Sequence, residues 1–186
     1  FEPPLDDELV CFDCETTGLN PKKDRIISLS AIKISGQSIL TSQALNLTFS
    51  QDQLISEDSI KVHLIRNQDV VSGLQPHEAM RQFLQFIGSR PLVGYYLEFD
   101  VAMVNQLIRP WLGIQLPNPC IEVSELYYDW KWSQLSKNSP QPELNLAFPT
   151  ILKELDIPNL GQHDAFSDAL MTALVYLKLT QRLPPQ

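Results

Sequence analysis

Two carboxylates two residues apart, Asp13 and Glu15, lie at the end of an apolar run near the start of the chain. The turn signal Gly-Leu-Asn-Pro at residues 18–21 follows them, so the run predicts a buried strand that ends here. Strand side chains alternate between faces, which places both carboxylates on one face. The pair is then either two solvated strand-end acids or ligands of a shared divalent cation, because adjacent carboxylates repel each other.

The first part of the chain predicts three consecutive antiparallel strands. Apolar runs separated by polar turns indicate strands at residues 8–15, 26–34 and 39–49. Residues 1–7, rich in proline and acids, predict a loose N-terminal segment. The pattern therefore favours a sheet that begins as a meander.

The rest of the chain alternates helices with a strand. Helical spacing and capping residues predict helices at 76–87, about 98–107, 150–155 and about 164–181, a short helix or turn at 56–65, and a strand at 91–95. The proline-containing residues 137–149 predict a flexible loop. This alternation indicates an α/β fold in which helices pack on a mixed sheet.

Length and composition restrict the function classes. A chain of 186 residues with 44% hydrophobic and 19% charged residues is expected to form one globular domain, over residues 8–183. Its apolar runs are shorter than the ~20 residues that a bilayer requires, so a cytoplasmic protein without membrane attachment is expected. The net charge of −8 disfavours binding to long duplex nucleic acid, which requires a basic surface.

The cysteines predict thiols rather than a disulfide framework, because there are three of them. Cys11 and Cys14 have the spacing of half a zinc site. An offset of three along a strand points the two side chains to opposite faces, so buried reduced thiols are expected.

Two further acids lie on helix faces that should be buried. Asp100 is in the first turn of its helix, on the same side as Val104, although a helix-start acid favoured by the macrodipole is an ordinary alternative. Asp168 shares one side of the last helix with Met171 and Val175, while the opposite side is also apolar. Asp168 is therefore expected to face an interior surface, where a carboxylate needs a partner.

Three motifs in this order resemble the DEDDh family of 3′–5′ exonucleases. They are Asp13-x-Glu15 followed by Thr-Thr-Gly-Leu, Phe99-Asp100 after a short strand, and His163-Asp-Ala-Phe-Ser-Asp168-Ala. The resemblance covers about residues 8–180. It is strongest to the bacterial DnaQ-like group, which includes the replicase proofreading subunit.

The resemblance implies a ribonuclease-H-like fold, with a mixed five-stranded sheet flanked by helices. It also implies two Mg²⁺ or Mn²⁺ ions bound by Asp13, Glu15, Asp100 and Asp168, with Asp13 bridging both. His163 would be the general base. The family receives the terminal nucleotide at the segment that corresponds here to Thr16, Thr17, Gly18 and Leu19. His63, in a degraded family segment, is a further candidate contact, or else a surface or helix-capping histidine.

The activity implied is hydrolysis at the 3′ end of single-stranded DNA or short RNA, with release of nucleoside 5′-monophosphates. Metal-activated water and a histidine that titrates near neutral pH suit this reaction. A DNA polymerase subunit is a candidate partner. Two alternatives use the same fold, namely a non-catalytic polymerase-associated or regulatory module, and a nuclease specialised for dinucleotides, which the acidic surface would suit.

Aromatic residues mark two further segments. Many family members carry His-Asn where this chain has Tyr95 and Tyr96, and these tyrosines predict either packing at a strand end or stacking on a base. Residues 127–132, Tyr-Tyr-Asp-Trp-Lys-Trp, predict core and covering positions, or a stacking wall or partner surface.

Overall fold

The computed structural model describes residues 8–50, 73–135, 144–161 and 164–183. The predicted N-terminal segment 1–7, the short helix or turn at 56–65 and most of the predicted loop at 137–149 lie outside these ranges. His63 and His163 also lie outside them.

The antiparallel half of the sheet contains the first four strands. β1 (Glu8–Thr16) pairs with β2 (Ile26–Ser35), and the other edge of β2 pairs with both β3 (Ser38–Ile39) and β4 (Leu45–Thr48). Since β3 and β4 follow each other along one edge of β2, they occupy a single strand position. The predicted antiparallel start is confirmed.

The parallel half lies on the other side of β1. β5 (Leu92–Gly94) pairs in parallel with β1, and β6 (Cys120–Glu122) pairs in parallel with β5. The sheet therefore has five strand positions of mixed direction. The predicted mixed five-stranded sheet flanked by helices is confirmed.

The continuous third strand predicted for residues 39–49 is wrong. A turn of 3₁₀ helix at Thr41–Gln43 separates β3 from β4, and none of its residues is buried. This run, Thr-Ser-Gln, has no apolar side chain to place on the core face. The chain therefore leaves the sheet and returns at Leu45.

Five helices flank the sheet in the described ranges, namely α1 (Pro76–Ile87), α2 (Leu97–Leu112), α3 (Val123–Ser133), α4 (Phe148–Glu154) and α5 (Ala165–Thr180). Helices α1 and α2 pack with the sheet face that carries Phe12 and Leu29, whereas α3, α4 and α5 pack with the face that carries Cys11 and Ile34. Both faces of the sheet are therefore covered. None of these described helices has the length and apolarity needed to cross a bilayer.

The bounds of α1 and α5 agree with the sequence prediction, but α2 and α4 differ from it. α2 passes through Pro110 and ends only where Gly113 adopts a left-handed φ of 70°. α4 starts at Phe148, inside the predicted loop, because Pro149 occupies a first-turn position where its missing N–H needs no partner. β6 was not predicted, since three residues of strand carry no readable period, and no helix bounds were predicted for α3.

Candidate active site

The end of β1 presents Asp13 and Glu15 on one face of the sheet. Phe12 and Cys14 are buried in the core on the α1 and α2 side, whereas Cys11 is buried on the α5 side. Because strand residues alternate, Asp13 and Glu15 share the face of Cys11 and point toward α5. Cys11 and Cys14 are free, buried thiols on opposite faces, as expected.

Asp168 approaches this pair from the first turn of α5. The helix is capped by Asp164, whose carboxylate accepts hydrogen bonds from the Ser167 N–H at 3.0 Å and the Ser167 hydroxyl at 2.7 Å. The cap fixes the start of the helix and thereby the position of Asp168. One carboxylate oxygen from each of Asp13, Glu15 and Asp168 lies within 4.8 Å of the others.

Asp100 is the fourth acid at this end of the sheet. It lies in the first turn of α2 and is 4% exposed. Its Oδ1 accepts a hydrogen bond from the Cys14 N–H at 3.0 Å, which ties α2 to β1. Its charge is close enough to contribute to the raised pKa of Asp13. The four acids singled out from the sequence therefore meet at the end of β1.

Burial and mutual repulsion raise the pKa values of these acids. Burial is the largest cause for Asp13, whose pKa lies well above its usual value, and the charges of Asp100 and Asp168 add to it. Burial, followed by the charge of Asp168, raises the pKa of Glu15 to about 7. Burial also raises the pKa of Asp100 to about 8. The ionised cluster is therefore unfavourable by itself.

This donor set fits a hard divalent cation. Carboxylate oxygens are the ligands that Mg²⁺ and Mn²⁺ prefer, and the three oxygens within 4.8 Å of one another can share one ion. A cation would also offset the repulsion that raises the pKa values. Asp13, Glu15 and Asp168 are the residues best placed to bind it, with Asp100 beside Asp13.

The loop at the end of β1, which comprises residues 16–19 and begins with the last strand residue, is held by Asp24. The Thr17 hydroxyl donates to Asp24 Oδ1 at 3.1 Å and accepts from the Arg25 N–H at 3.0 Å. The Asn20 N–H donates to Asp24 Oδ2 at 2.8 Å. A Cβ at Gly18 would lie 2.7 Å from the Asp24 carboxylate, so this contact requires glycine. Asp24 was not predicted from the sequence, where its signal is an acid at the end of a polar turn.

The 16–19 loop exposes an apolar side chain four positions after Glu15. Thr16 closes the loop by donating its hydroxyl to the Gly18 carbonyl at 2.8 Å. Leu19 is 86% exposed. A leucine held in solvent by a braced loop can contact an apolar surface of a ligand without rearrangement.

A cleft of about 320 Å³ opens next to the acids and is lined by Asp13, Asp168, Thr172, Tyr95 and the start of α4. The Tyr95 ring packs against Phe148 with centroids 4.7 Å apart, and its hydroxyl donates to the Leu146 carbonyl at 3.1 Å. Tyr95 therefore packs at the strand end, as one interpretation predicted, and also forms a cleft wall. Phe148 and Thr172 were not predicted as cleft residues, and Phe148 was assigned to a loop.

The aromatic residues 127–132 divide between core and surface. Tyr127 is buried and packs against Trp130 at 5.9 Å between centroids. Trp132 is 46% exposed and stacks on Tyr128 with ring planes 8° apart. The core prediction therefore holds for Tyr127, whereas Trp132 lies at the surface.

The chain resembles replication proteins along most of its length. It is 27% identical over 179 residues to the DNA polymerase III subunit epsilon of Aquifex aeolicus, which is 96% of this chain and 83% of that protein. It is 29% identical over 183 residues to the PolC-type DNA polymerase III of Caldanaerobacter subterraneus subsp. tengcongensis. That match covers 98% of this chain and 12% of the PolC-type protein. The predicted DnaQ-like resemblance is confirmed.

Solved structures share the fold. The chain superposes on Escherichia coli exonuclease I in complex with a dT13 oligonucleotide with a TM-score of 0.76 and 16% identity, over 95% of this chain and 42% of that chain. The ribonuclease-H-like fold is therefore confirmed. A model of the RNase_T exonuclease family matches residues 10–176, a span that contains all four acids. The chain belongs to the RNase_T exonuclease family.

Proposed function

We propose that the chain is a DEDDh-type 3′–5′ exonuclease. Its substrate would be the 3′ end of single-stranded DNA or short RNA, and its products nucleoside 5′-monophosphates. The observation that carries the proposal is the convergence of Asp13, Glu15, Asp168 and Asp100 at the end of β1. The similarity to the polymerase III proteins and to an exonuclease I bound to an oligonucleotide supports it.

In this proposal Asp13, Glu15, Asp100 and Asp168 would together hold two Mg²⁺ or Mn²⁺ ions. Bound ions of this type supply an activated water and stabilise negative charge on the leaving oxygen. The chain supplies rigid positions for the ligands, because two acids lie on β1 and the others lie in the first turns of α2 and α5. The hydrogen bond from the Cys14 N–H orients the carboxylate of Asp100.

The remaining roles fall to residues beside the acids. The 16–19 loop would receive the terminal nucleotide, with the exposed Leu19 against its base. His163, one position before the capping Asp164, would accept a proton from the attacking water, as suits a side chain with an unperturbed pKa near ~6.5. His63 is proposed as a further substrate contact.

We also propose that residues 8–183 form a single domain that acts with a DNA polymerase in the cytoplasm. Two relatives support this arrangement, since one is a subunit of DNA polymerase III and the other is a PolC-type polymerase of which this chain matches 12%. The exonuclease would then work either as a separate subunit or within a longer polypeptide.

The direction and metal dependence of cleavage test the proposal. We expect 5′-labelled single-stranded DNA to shorten one nucleotide at a time in Mg²⁺ or Mn²⁺, and 3′-labelled DNA to release a labelled mononucleotide from the first cycle. Chelation should stop the reaction, because the ionised acids need a cation to hold substrate phosphate. The products are resolved on a sequencing gel.

Substrate length and sugar distinguish the alternatives. The same assay is run with matched RNA and with a dinucleotide. Cleavage confined to dinucleotides would favour the specialised nuclease, and strand binding without any cleavage would favour the non-catalytic module. Hydrolysis that persists in excess chelator, or that starts from the 5′ end, would contradict the proposal.

A further inference from the structure

Tyr96 is an exposed aromatic residue in an unfavourable backbone conformation. Its side chain is 72% exposed, and its φ of 55° lies in the left-handed region, which bulky residues rarely adopt. Burial of the ring does not compensate for this conformation, because most of the ring faces solvent. Strain of this kind concentrates at ligand sites, which points to a binding role for the exposed ring.

The backbone around Tyr96 holds the residue in place. Its carbonyl accepts a hydrogen bond from the Phe99 N–H at 2.9 Å, and the next N–H, that of Leu97, donates to Glu122 Oε2 at 2.9 Å. The turn is also tight, since a Cβ at Gly94 would lie 2.7 Å from the Leu97 side chain. The direction of the Tyr96 ring is therefore set by this turn, and a different side chain at this position leaves these bonds in place.

Tyr96 lies on the opposite side of the acids from the 16–19 loop. That loop leads from β1 into β2, whereas Tyr95 and Tyr96 follow β5 on the other edge of β1. Tyr95 lines the cleft of the acids, and its ring meets the Tyr96 ring edge-on at 5.4 Å. A strand with its last nucleotide on the loop and its scissile bond at the acids would continue over Tyr95 toward Tyr96.

The surface beyond Tyr96 suits an uncharged base better than a phosphate. A second cleft, of about 500 Å³, begins at this ring. Its walls combine apolar side chains, including Val101 and Leu146, with the three acids Glu98, Glu122 and Glu125. Carboxylates repel a phosphate, whereas an exposed aromatic ring stacks on any base.

We propose that Tyr96 is the stacking platform for the base of the nucleotide that precedes the 3′-terminal one. The inference rests on the proposed exonuclease function, and it extends the binding site across the acids to a second nucleotide. Stacking tolerates all four bases, so the platform adds affinity without sequence preference. The acidic walls turn the phosphates of the strand outward.

Strand binding by Tyr96 variants tests the inference. The change is Tyr96→Ala, and binding is measured by fluorescence anisotropy with labelled oligothymidylates, Ca²⁺ replacing Mg²⁺ so that the strand persists. We expect Tyr96→Ala to weaken binding of dinucleotides and longer strands by about 5- to 150-fold, the range that corresponds to loss of one stacked base. Competition by thymidine 5′-monophosphate, which reaches only the terminal position, should keep its parental affinity. Tyr96→Phe should restore strand binding, because it retains the ring.

Trp111→Ala is the matched control, since Trp111 is an exposed aromatic near the C-terminal end of α2, 40% exposed and in contact with His77, whereas Tyr96 immediately precedes the helix. Its strand affinity should equal that of the parent. The inference would be overturned if Tyr96→Ala bound the strand with the affinity of the parent. It would also be overturned if Tyr96→Ala lost affinity equally for the mononucleotide and the strand, or if the parent bound no oligonucleotide. Hydrolysis of the 4-nitrophenyl ester of thymidine 5′-monophosphate by the parent reports separately on the proposed function.

Discussion

The Asp13→Asn variant is expected to hydrolyse single-stranded DNA about 1000-fold more slowly than the parent, while its metal-free form unfolds at a higher temperature. The rate falls because a metal site supplies several kcal/mol of transition-state stabilisation, and about 4 kcal/mol corresponds to three powers of ten. The stability rises because Asn removes a carboxylate whose ionisation is opposed by burial and by the charges of Asp100 and Asp168. Initial rates and thermal melts measure the two effects.

The opposite signs of these two effects separate a ligand role from a folding role. Glu78→Gln is the matched control, because Glu78 lies on α1 and is paired with Arg81 at 2.7 Å, away from the acids. It should retain the parental rate. If Asp13→Asn hydrolysed DNA at the parental rate, Asp13 would not be a ligand of the site. If the variant lost activity and also melted at a lower temperature than the parent, the loss would indicate misfolding.

The metal-free protein is expected to lose stability as the pH rises from about 4.5, the ordinary pKa of Glu15, to about 8, the pKa of buried Asp100. The folded-state pKa values of Asp13, Glu15 and Asp100 are raised, so the folded state holds these protons more tightly than the unfolded state. Their contribution is therefore fully present at low pH and is lost as the pH passes through the raised values. Melting temperatures measured in chelator across this range record the decline.

Divalent cations should reverse this decline. In the proposed function Mg²⁺ or Mn²⁺ would bind the ionised acids of the folded state, so it should raise the melting temperature strongly near pH 8 and little near pH 4.5. In Asp13→Asn the pH dependence should be shallower, because one source of repulsion on the remaining acids is gone. The electrostatic account would be contradicted if the melting temperature in chelator rose steadily with pH. It would also be contradicted if the cation raised the melting temperature equally at pH 4.5 and pH 8.

The sequence predicted the parts of the site that depend on short-range geometry. Alternation along β1 was sufficient to place Asp13 and Glu15 on one face, since the period of a strand is two. The two-sided apolar pattern around Asp168 likewise predicted an interior position. The partnership between Asp100 and the Cys14 N–H could not be predicted, because it depends on how α2 sits against a strand that is distant in the chain.

Other features were missed for identifiable reasons. The role of Asp24 depends on a turn that folds its carboxylate back onto Thr17 and Gly18, and turn composition alone does not specify that contact. Phe148 was assigned to a loop because the prolines around it were interpreted as helix breakers, whereas Pro149 lies in the first turn of a helix that starts at Phe148. The strained conformation of Tyr96 arises from the tight connection between β5 and α2, and a pair of tyrosines in a sequence gives no sign of it.

The most direct test of the account is anomalous diffraction from a crystal grown with Mn²⁺. The account predicts two manganese peaks at the end of β1, with oxygens of Asp13, Glu15, Asp100 and Asp168 as ligands at about 2.1 Å, near the distance for Mg²⁺. An occupied manganese site elsewhere, with these four carboxylates lacking anomalous density between them, would contradict it.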